Sequence, residues 1–371
     1  MGLEAIGGKI AFVSEIDKKA QSTYCANFKE DGCVLCGDIT EIDSSFIPRH
    51  DILTAGFPCQ SFSKAGPAKG FSDPRGTLFR EITRVLRDCK PKALILENVS
   101  ALVTHENGAT FDIILSEIVS AGYIVNYRIL NTSWVTPQHR ERVYIIGFRS
   151  DLSETVLSSF EWPVFPIIPV TVKDILEDSR VGISEDEDKY GLTEKQWETI
   201  QKMETDVNKR MVKLDGKART LMSHYKKSCY LYSEFVPRDN GLRPRFYTPR
   251  ECARLQGFPE DFILTSCGPD PNRIYYQLGN TVCPIIISAL AVKVLKVLET
   301  HQGNPPNVTP DTKGMDAVMS LLLSSSPNPQ ASLPNGQSLQ QIANLFLSSD
   351  PSINTTNGQG PIEWRSNKSQ V

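Results

Sequence analysis

The chain has 371 residues, 40% hydrophobic and 22% charged, an ordinary composition for a soluble globular protein of two or three domains. No run of about 18 or more apolar residues points to a membrane span. Met1-Gly2-Leu3-Glu4 carries no secretory or myristoylation signal, and nine cysteines, odd in number and sparse, argue for reduced thiols inside a cell and against a disulfide scaffold. The net charge of -3 argues against a general polyanion binder, but residues 201–250 hold 12 Lys and Arg against 5 Asp and Glu. That local excess suits either a confined polyanion contact or a solvated charged surface.

Short apolar runs alternate with helical patterns over the first 150 residues. Ile10–Val13 reads as a strand ending at Ser14-Glu15-Ile16-Asp17, and the stretch from Lys18 to Phe28 as a helix; Val34-Leu35 then leads into Gly37-Asp38-Ile39. Asp51–Ala55 is a strand running into Gly56-Phe57-Pro58-Cys59-Gln60. Leu78–Cys89 is a helix, Ala93–Leu96 a strand before Glu97-Asn98, Phe111–Ala121 a helix and Val143–Phe148 a strand. Wholly apolar strands alternating with helices predict an α/β fold with a parallel, doubly wound sheet. Residues 151–250 are rich in Pro, Asp and Glu and then basic, with weak periodicity, so few regular elements are expected there. Order returns over 251–300, with an apolar helix at Pro284–Leu298. The 71 residues from His301 hold 8 prolines and 7 charged side chains, the composition of a disordered polar tail. Within it, Val318–Pro327 and Ile342–Pro351 share five identities in ten; they are either partner-docking segments or leftover hydrophobicity.

Ligands of a doubly wound sheet bind outside the carboxyl ends of its strands. Glu15, Asp38, Pro58-Cys59-Gln60 and Glu97-Asn98 are expected at such ends. Glu15 is placed to hold ribose hydroxyls, and Asp38 to accept from an adenine amino group. Cys59 follows an apolar strand and a rigid proline in a glycine-containing loop, where a thiolate is within reach of a substrate. Cys89, Cys252 and Cys283 suit inert buried thiols. Cys33 and Cys36 form a single C-x-x-C with no second pair, so no metal site is expected.

Five blocks in order carry a resemblance: Gly56-Phe57-Pro58-Cys59-Gln60-Ser61-Phe62-Ser63, Glu97-Asn98-Val99, Gln138-His139-Arg140-Glu141-Arg142, Thr248 to Pro259, and Gly279-Asn280-Thr281-Val282. Together they resemble the DNA (cytosine-5) methyltransferases, with a bacterial-like motif set, over roughly residues 1–300. The resemblance implies a Rossmann-like S-adenosylmethionine-dependent methyltransferase sheet with an inserted small, irregular target-recognition region. The catalytic domain would occupy 1–150, the recognition region 151–247, the completion of the catalytic domain 248–300, and the tail 301–371. It implies methyl transfer to C5 of a flipped-out cytosine in double-stranded DNA, with Cys59 adding at C6, Glu97 as the acid at N3 and Arg142 supporting both Glu97 and the base. By the same resemblance Glu15, Ile16, Asp38, Pro58, Leu78 and Asn280 would hold the cofactor. Gln138 and Arg140 would order the DNA-facing strand end, and Lys217, Arg219, Lys226 and Lys227 would meet phosphates. The expected setting is intracellular, in a bacterial cytoplasm or a eukaryotic nucleus, with a restriction–modification role open. Two alternatives stand beside this: an RNA cytosine-5 methyltransferase on the same fold, and a DNA-binding pseudoenzyme.

One family feature is absent. The family opens with a strand and a glycine-rich turn that cradles the methionine part of the cofactor. Ile6-Gly7-Gly8 lies too close to Glu15 to be that turn. Relative to the family, the expectation is that a central first strand, the turn and most of the first helix are missing, leaving two strand edges without a partner. A fragmentary gene model, a degraded copy and completion by a second polypeptide would each account for it.

Overall fold

A computed structural model describes residues 1–28, 33–58, 77–184, 188–227, 229–239, 241–264 and 271–301. Cys59 and the tail segments 318–327 and 342–351 lie outside the described residues.

Strands β1 (Phe12–Ser14) and β2 (Val34–Cys36) form a parallel pair. A second sheet holds β3 (Ile52–Gly56), β4 (Ala93–Val99), β5 (Tyr123–Asn131) and β6 (Glu141–Arg149) in the order β3-β4-β6-β5. No ladder joins the two sheets, so β1 and β3 each carry one edge without a strand partner among the described residues. β3 runs parallel to β4, but β6 is antiparallel to both β4 and β5. The sheet is therefore mixed, not wholly parallel as the sequence suggested. β5 escaped the apolar-run pattern because it is the edge strand: its YIVNYRILN interleaves polar and apolar residues, and most of them are only half-buried. The central β6 is buried along most of its length. A short link between β5 and β6 permits only an antiparallel return.

Alternate residues of the central strands feed opposite faces, as pleating requires. Leu94, Leu96, Val143 and Ile145 face one layer, with α2 (Thr77–Cys89) and α3 (Ala109–Ser120). In α2 Phe79, Ile82 and Leu86, and in α3 Phe111, Ile114, Leu115 and Ile118, fall on a single helical stripe. Ile95, Tyr144, Ile146 and Phe148 face the other layer, built on α7 (Pro284–His301). The segment Asn272–His301 is long and apolar enough to cross a bilayer by composition, but 67% of its apolar window is buried inside the protein, as befits a core helix. By contrast, α1 (Lys18–Asn27) buries no residue fully and starts on the Asp17 side chain, which accepts from the Lys19 and Ala20 amides.

Residues 172–262 are mostly irregular, as the weak periodicity implied. They carry one helix of ten residues, α4 (Glu194–Met203), and join α5 (Pro249–Leu255) and α6 (Pro271–Asn280) in a third core cluster. Buried polar bonds replace regular ladders here. Arg245 and Glu251, both fully buried, make two 2.7 Å hydrogen bonds, and Glu251 also closes the Thr248 capping box of α5.

Candidate active site

Glu97 and Arg142 meet on one face of the sheet. Register pairs Glu97 with Tyr144 and Val99 with Arg142, so the two side chains are diagonal neighbours. Arg142 Nε lies 3.0 Å from Glu97 Oε1, and the two side chains are 13% and 14% exposed. Burial is the largest influence on Glu97 and raises its pKa above the ordinary carboxyl value; Arg142 and Arg140 pull the other way without reversing it. The carboxyl therefore holds its proton more tightly than a free glutamate, with a guanidinium fixing its orientation.

The strand carrying the Pro58-Cys59 loop arrives at the same place. Gly56 sits opposite Glu97 in the parallel β3–β4 register. Asn98, 4% exposed, donates through Nδ2 to the Phe57 carbonyl at 2.8 Å, which anchors the backbone two residues before Cys59.

Behind this pair, the 136–140 segment is tied to the rest of the protein by side chains with almost no exposure. Gln138 is fully buried: its Nε2 donates to Leu255 O at 2.9 Å, and its Oε1 accepts from Leu221 N at 2.7 Å. Arg140, 2% exposed, donates to Leu221 O, Gly279 O and Thr281 O at 3.1, 3.0 and 2.8 Å. Burial, helped by the neighbouring Arg142, lowers its pKa to about 10. Three motif blocks far apart in sequence are thus joined through two side chains. Gly279 permits the approach, since a Cβ there would stand 2.3 Å from Ser223 N.

The expected DNA contacts divide. Gln138 and Arg140 have no surface to offer a duplex in this conformation and act as braces. Lys217 is turned inward, its Nζ donating to Thr136 O and Ile168 O at 3.1 and 3.2 Å, with burial lowering its pKa to about 8. Lys226 donates to Lys189 O at 3.3 Å and lies over the Phe246 ring. Arg219 and Lys227 are exposed. Sequence reasoning missed Glu234, a mostly buried carboxylate that accepts from the Arg219 amide at 2.7 Å. Nothing in the local pattern distinguished it from a surface acid.

Of the expected cofactor residues, Glu15 and Asp38 follow β1 and β2 at one carboxyl edge, since Ser14 pairs with Cys36. Ile16, which follows Glu15, is 67% exposed. Hydrogen bonds from the Thr40 amide and hydroxyl hold the Asp38 pKa below its ordinary value, so it stays an acceptor. Two carboxylates at one strand edge, with an exposed apolar side chain next to the first in sequence, fit an adenosine: acceptors for ribose hydroxyls and an amino group, and a surface for the ring. Pro58 follows β3, Leu78 opens α2 and Asn280 closes α6. Gly7, with φ +85°, caps a short 3-10 helix before β1 and so sits at the strand's amino end, on the wrong side to cradle a ligand at the carboxyl edge.

The profile of the C-5 cytosine-specific DNA methylases matches residues 1–296. The chain belongs to that family. Among its relatives are the type II methyltransferase M.DsaV of Dactylococcopsis salina, 38% identical over 80% of this chain and 82% of that protein, and the type II methyltransferase M1.ScrFI of Lactococcus lactis subsp. cremoris, 42% identical over 78% and 73%. The fold is shared with the Entamoeba histolytica methyltransferase EhMeth (TM-score 0.60, 20% identity, covering 80% of this chain and 95% of that one). It is shared too with the S. pombe Dnmt2 methyltransferase (TM-score 0.58, 21% identity, 82% and 95%). As a C-5 cytosine-specific DNA methylase, the protein methylates cytosine C5 in DNA, with S-adenosylmethionine as the methyl donor.

Proposed function

We propose that the site works through Cys59, Glu97 and Arg142 on a cytosine flipped out of double-stranded DNA. The observation that carries this is the Glu97 carboxyl, raised by burial although Arg142 sits 3.0 Å away, on a strand whose Asn98 anchors the backbone leading to Cys59. The Cys59 thiolate forms a bond to C6, and the ring's electron pair moves toward N3, where Glu97 supplies a proton. C5 then has enamine character and accepts the methyl group, which is what S-adenosylmethionine contributes when bound. A base removes the C5 proton, the C6–S bond breaks, and the electron pair restores the 5,6 double bond while Cys59 departs as thiolate and the N3 proton returns to Glu97. Arg142 holds Glu97 and faces the cytosine O2. Glu15, Ile16 and Asp38 would hold the adenosine half of the cofactor, with Pro58, Leu78 and Asn280 bordering it.

In this reading 1–150 and 248–300 form the catalytic unit, 151–247 recognises the target, and Arg219, Lys226 and Lys227 approach the duplex while Gln138, Arg140 and Lys217 brace its platform. The protein acts inside the cell. A restriction–modification role follows the type II relatives. The test is a duplex carrying 5-fluorocytosine, whose fluorine blocks loss from C5. With cofactor present a covalent adduct should accumulate and survive denaturation; Cys59→Ala should abolish it and Glu97→Gln should slow it at least tenfold. An adduct that persists in Cys59→Ala refutes the assignment.

A further inference from the structure

Direct readout of a guanine is made by N–H donors that reach both O6 and N7, and the planar fork of arginine presents two of them in a fixed geometry. Residues 201–250 contain six arginines, and four have guanidiniums committed within the protein. Arg210 donates to Ser233, Tyr230 and Cys229 carbonyls. Arg238 pairs with Asp188 and Arg245 with Glu251. Arg250 donates to Pro259 O and Phe262 O. Arg243 is exposed and, among the described residues, donates only through Nε, to Leu192 O, but it lies outside the 218–220 segment that is joined to residues 137–139.

Arg219 is different: its side chain is 58% exposed, yet it is held at its root. Glu234, 12% exposed, accepts from the Arg219 amide at 2.7 Å and lies 3.4 Å from its Nε. Arg219 Nη2 donates to Lys209 O at 3.0 Å. A guanidinium has five N–H donors; here Nη2 is engaged, and Nη1 makes no hydrogen bond among the described residues. The Glu234 carboxyl beside its root lessens the local positive charge when ionised, although burial raises the Glu234 pKa. That is a poor arrangement for a phosphate, which answers to net charge, and a good one for a base edge, which answers to donor geometry. Arg219 borders a shallow, open depression with Met222 and Tyr232, which are 39% and 63% exposed.

The segment carrying Arg219 is zipped onto the catalytic strand. Ala218 N donates to Pro137 O at 2.7 Å, His139 N to Ala218 O at 2.8 Å, and Thr220 Oγ1 to His139 O at 2.7 Å. His139 precedes Arg142 by three residues, about 10 Å of extended chain. At roughly 3.4 Å per base pair, a base met by Arg219 falls about four base pairs or fewer from the target cytosine.

We propose that Arg219, oriented by Glu234, reads a guanine within about four base pairs of the methylated cytosine; this rests on the DNA-methylating site described above. The test reads binding alone. The full chain, Arg219→Ala and Glu234→Gln are each used to select duplexes from a randomised pool. The wild type should enrich a motif with such a guanine. Arg219→Ala should lose preference at that one pair by about tenfold or more, keeping the other positions and the salt dependence. Glu234→Gln should weaken the same position only. Wild-type protein on a site with 7-deazaguanine there should bind about tenfold more weakly or worse, a readout that needs no variant to fold. The inference is overturned if Arg219→Ala keeps the guanine and weakens all sequences alike with a shallower salt slope, if 7-deazaguanine has no effect, or if the wild type selects no such motif. A selected motif without any 5-fluorocytosine adduct would instead sink the methyl-transfer assignment and leave this one standing.

Discussion

Gln138→Met separates a bracing role from a DNA-contacting one. Methionine matches glutamine in length and volume, so no cavity opens, and the change is confined to two hydrogen bonds. Leu221 N and Leu255 O lose their 2.7 and 2.9 Å partners at a position with no exposure. A buried backbone group left without a partner costs about 1–3 kcal/mol. The pair thus predicts a loss of about 2–5 kcal/mol once the more apolar side chain returns a little. At about 2–4 °C per kcal/mol for a domain this size, thermal melting followed by circular dichroism should fall by about 5–15 °C. If Gln138 instead touched DNA, the melt would be unchanged and only duplex affinity would drop. A melting temperature within about 2 °C of wild type therefore refutes the reasoning. Gln138→Glu adds a second check. Its carboxyl satisfies both partners only when protonated, so its deficit should shrink as the pH is lowered.

Three further outcomes follow. Gly279→Ala should cost about 1–3 kcal/mol or more in urea unfolding, since its Cβ would lie 2.3 Å from backbone at Ser223, which cannot yield as a side-chain tip could; unchanged stability would mean the 222–223 loop is free to move. Glu251→Gln should destabilise by about 3–5 kcal/mol, because Arg245 would keep a buried charge without its carboxylate; a loss below about 1 kcal/mol would show the pair to be dispensable. The pH–rate profile should carry an alkaline limb from Glu97. A carboxyl raised by burial keeps its proton above the usual carboxylate range and loses it, with the donor to N3, as pH climbs through its folded-state value. Its stability contribution has the same sign, present at low pH and lost as pH rises through that value. An identical limb in Glu97→Gln would remove Glu97 from the proton transfer.

How much of this was legible in the sequence depended on whether the signal was local. The stripes of α2 and α3 and the apolar runs of β3, β4 and β6 announced themselves because periodicity is a near-neighbour property. Strand direction did not, because it depends on which strand lies beside which. β6 is apolar from Val143 to Phe148 because it is buried between β4 and β5, and that burial looks the same from sequence whether the strand runs parallel or antiparallel. Glu97 was legible as a polar residue ending an apolar run, yet the property that suits it to acid catalysis comes from its surroundings and from Arg142, 45 residues away.

The basic segment shows the same limit in the opposite direction. Its positive excess was countable, but charge counting treats Lys217, Arg210 and Arg219 as equals. In the fold, the first two are turned onto backbone carbonyls and the third reaches outward. Backbone groups in a region with few ladders still need partners, and here lysine and arginine side chains supply many of them. Part of what reads as a polyanion-binding excess is therefore the internal hydrogen bonding of an irregular domain, and only the remainder is available to a duplex. An irregular region built this way can change the residues it presents while its buried cations keep the chain in place. On that reasoning, replacing exposed Arg219 should alter what is bound, whereas replacing buried Arg210, which is 3% exposed and donates to three carbonyls, should alter whether the region folds.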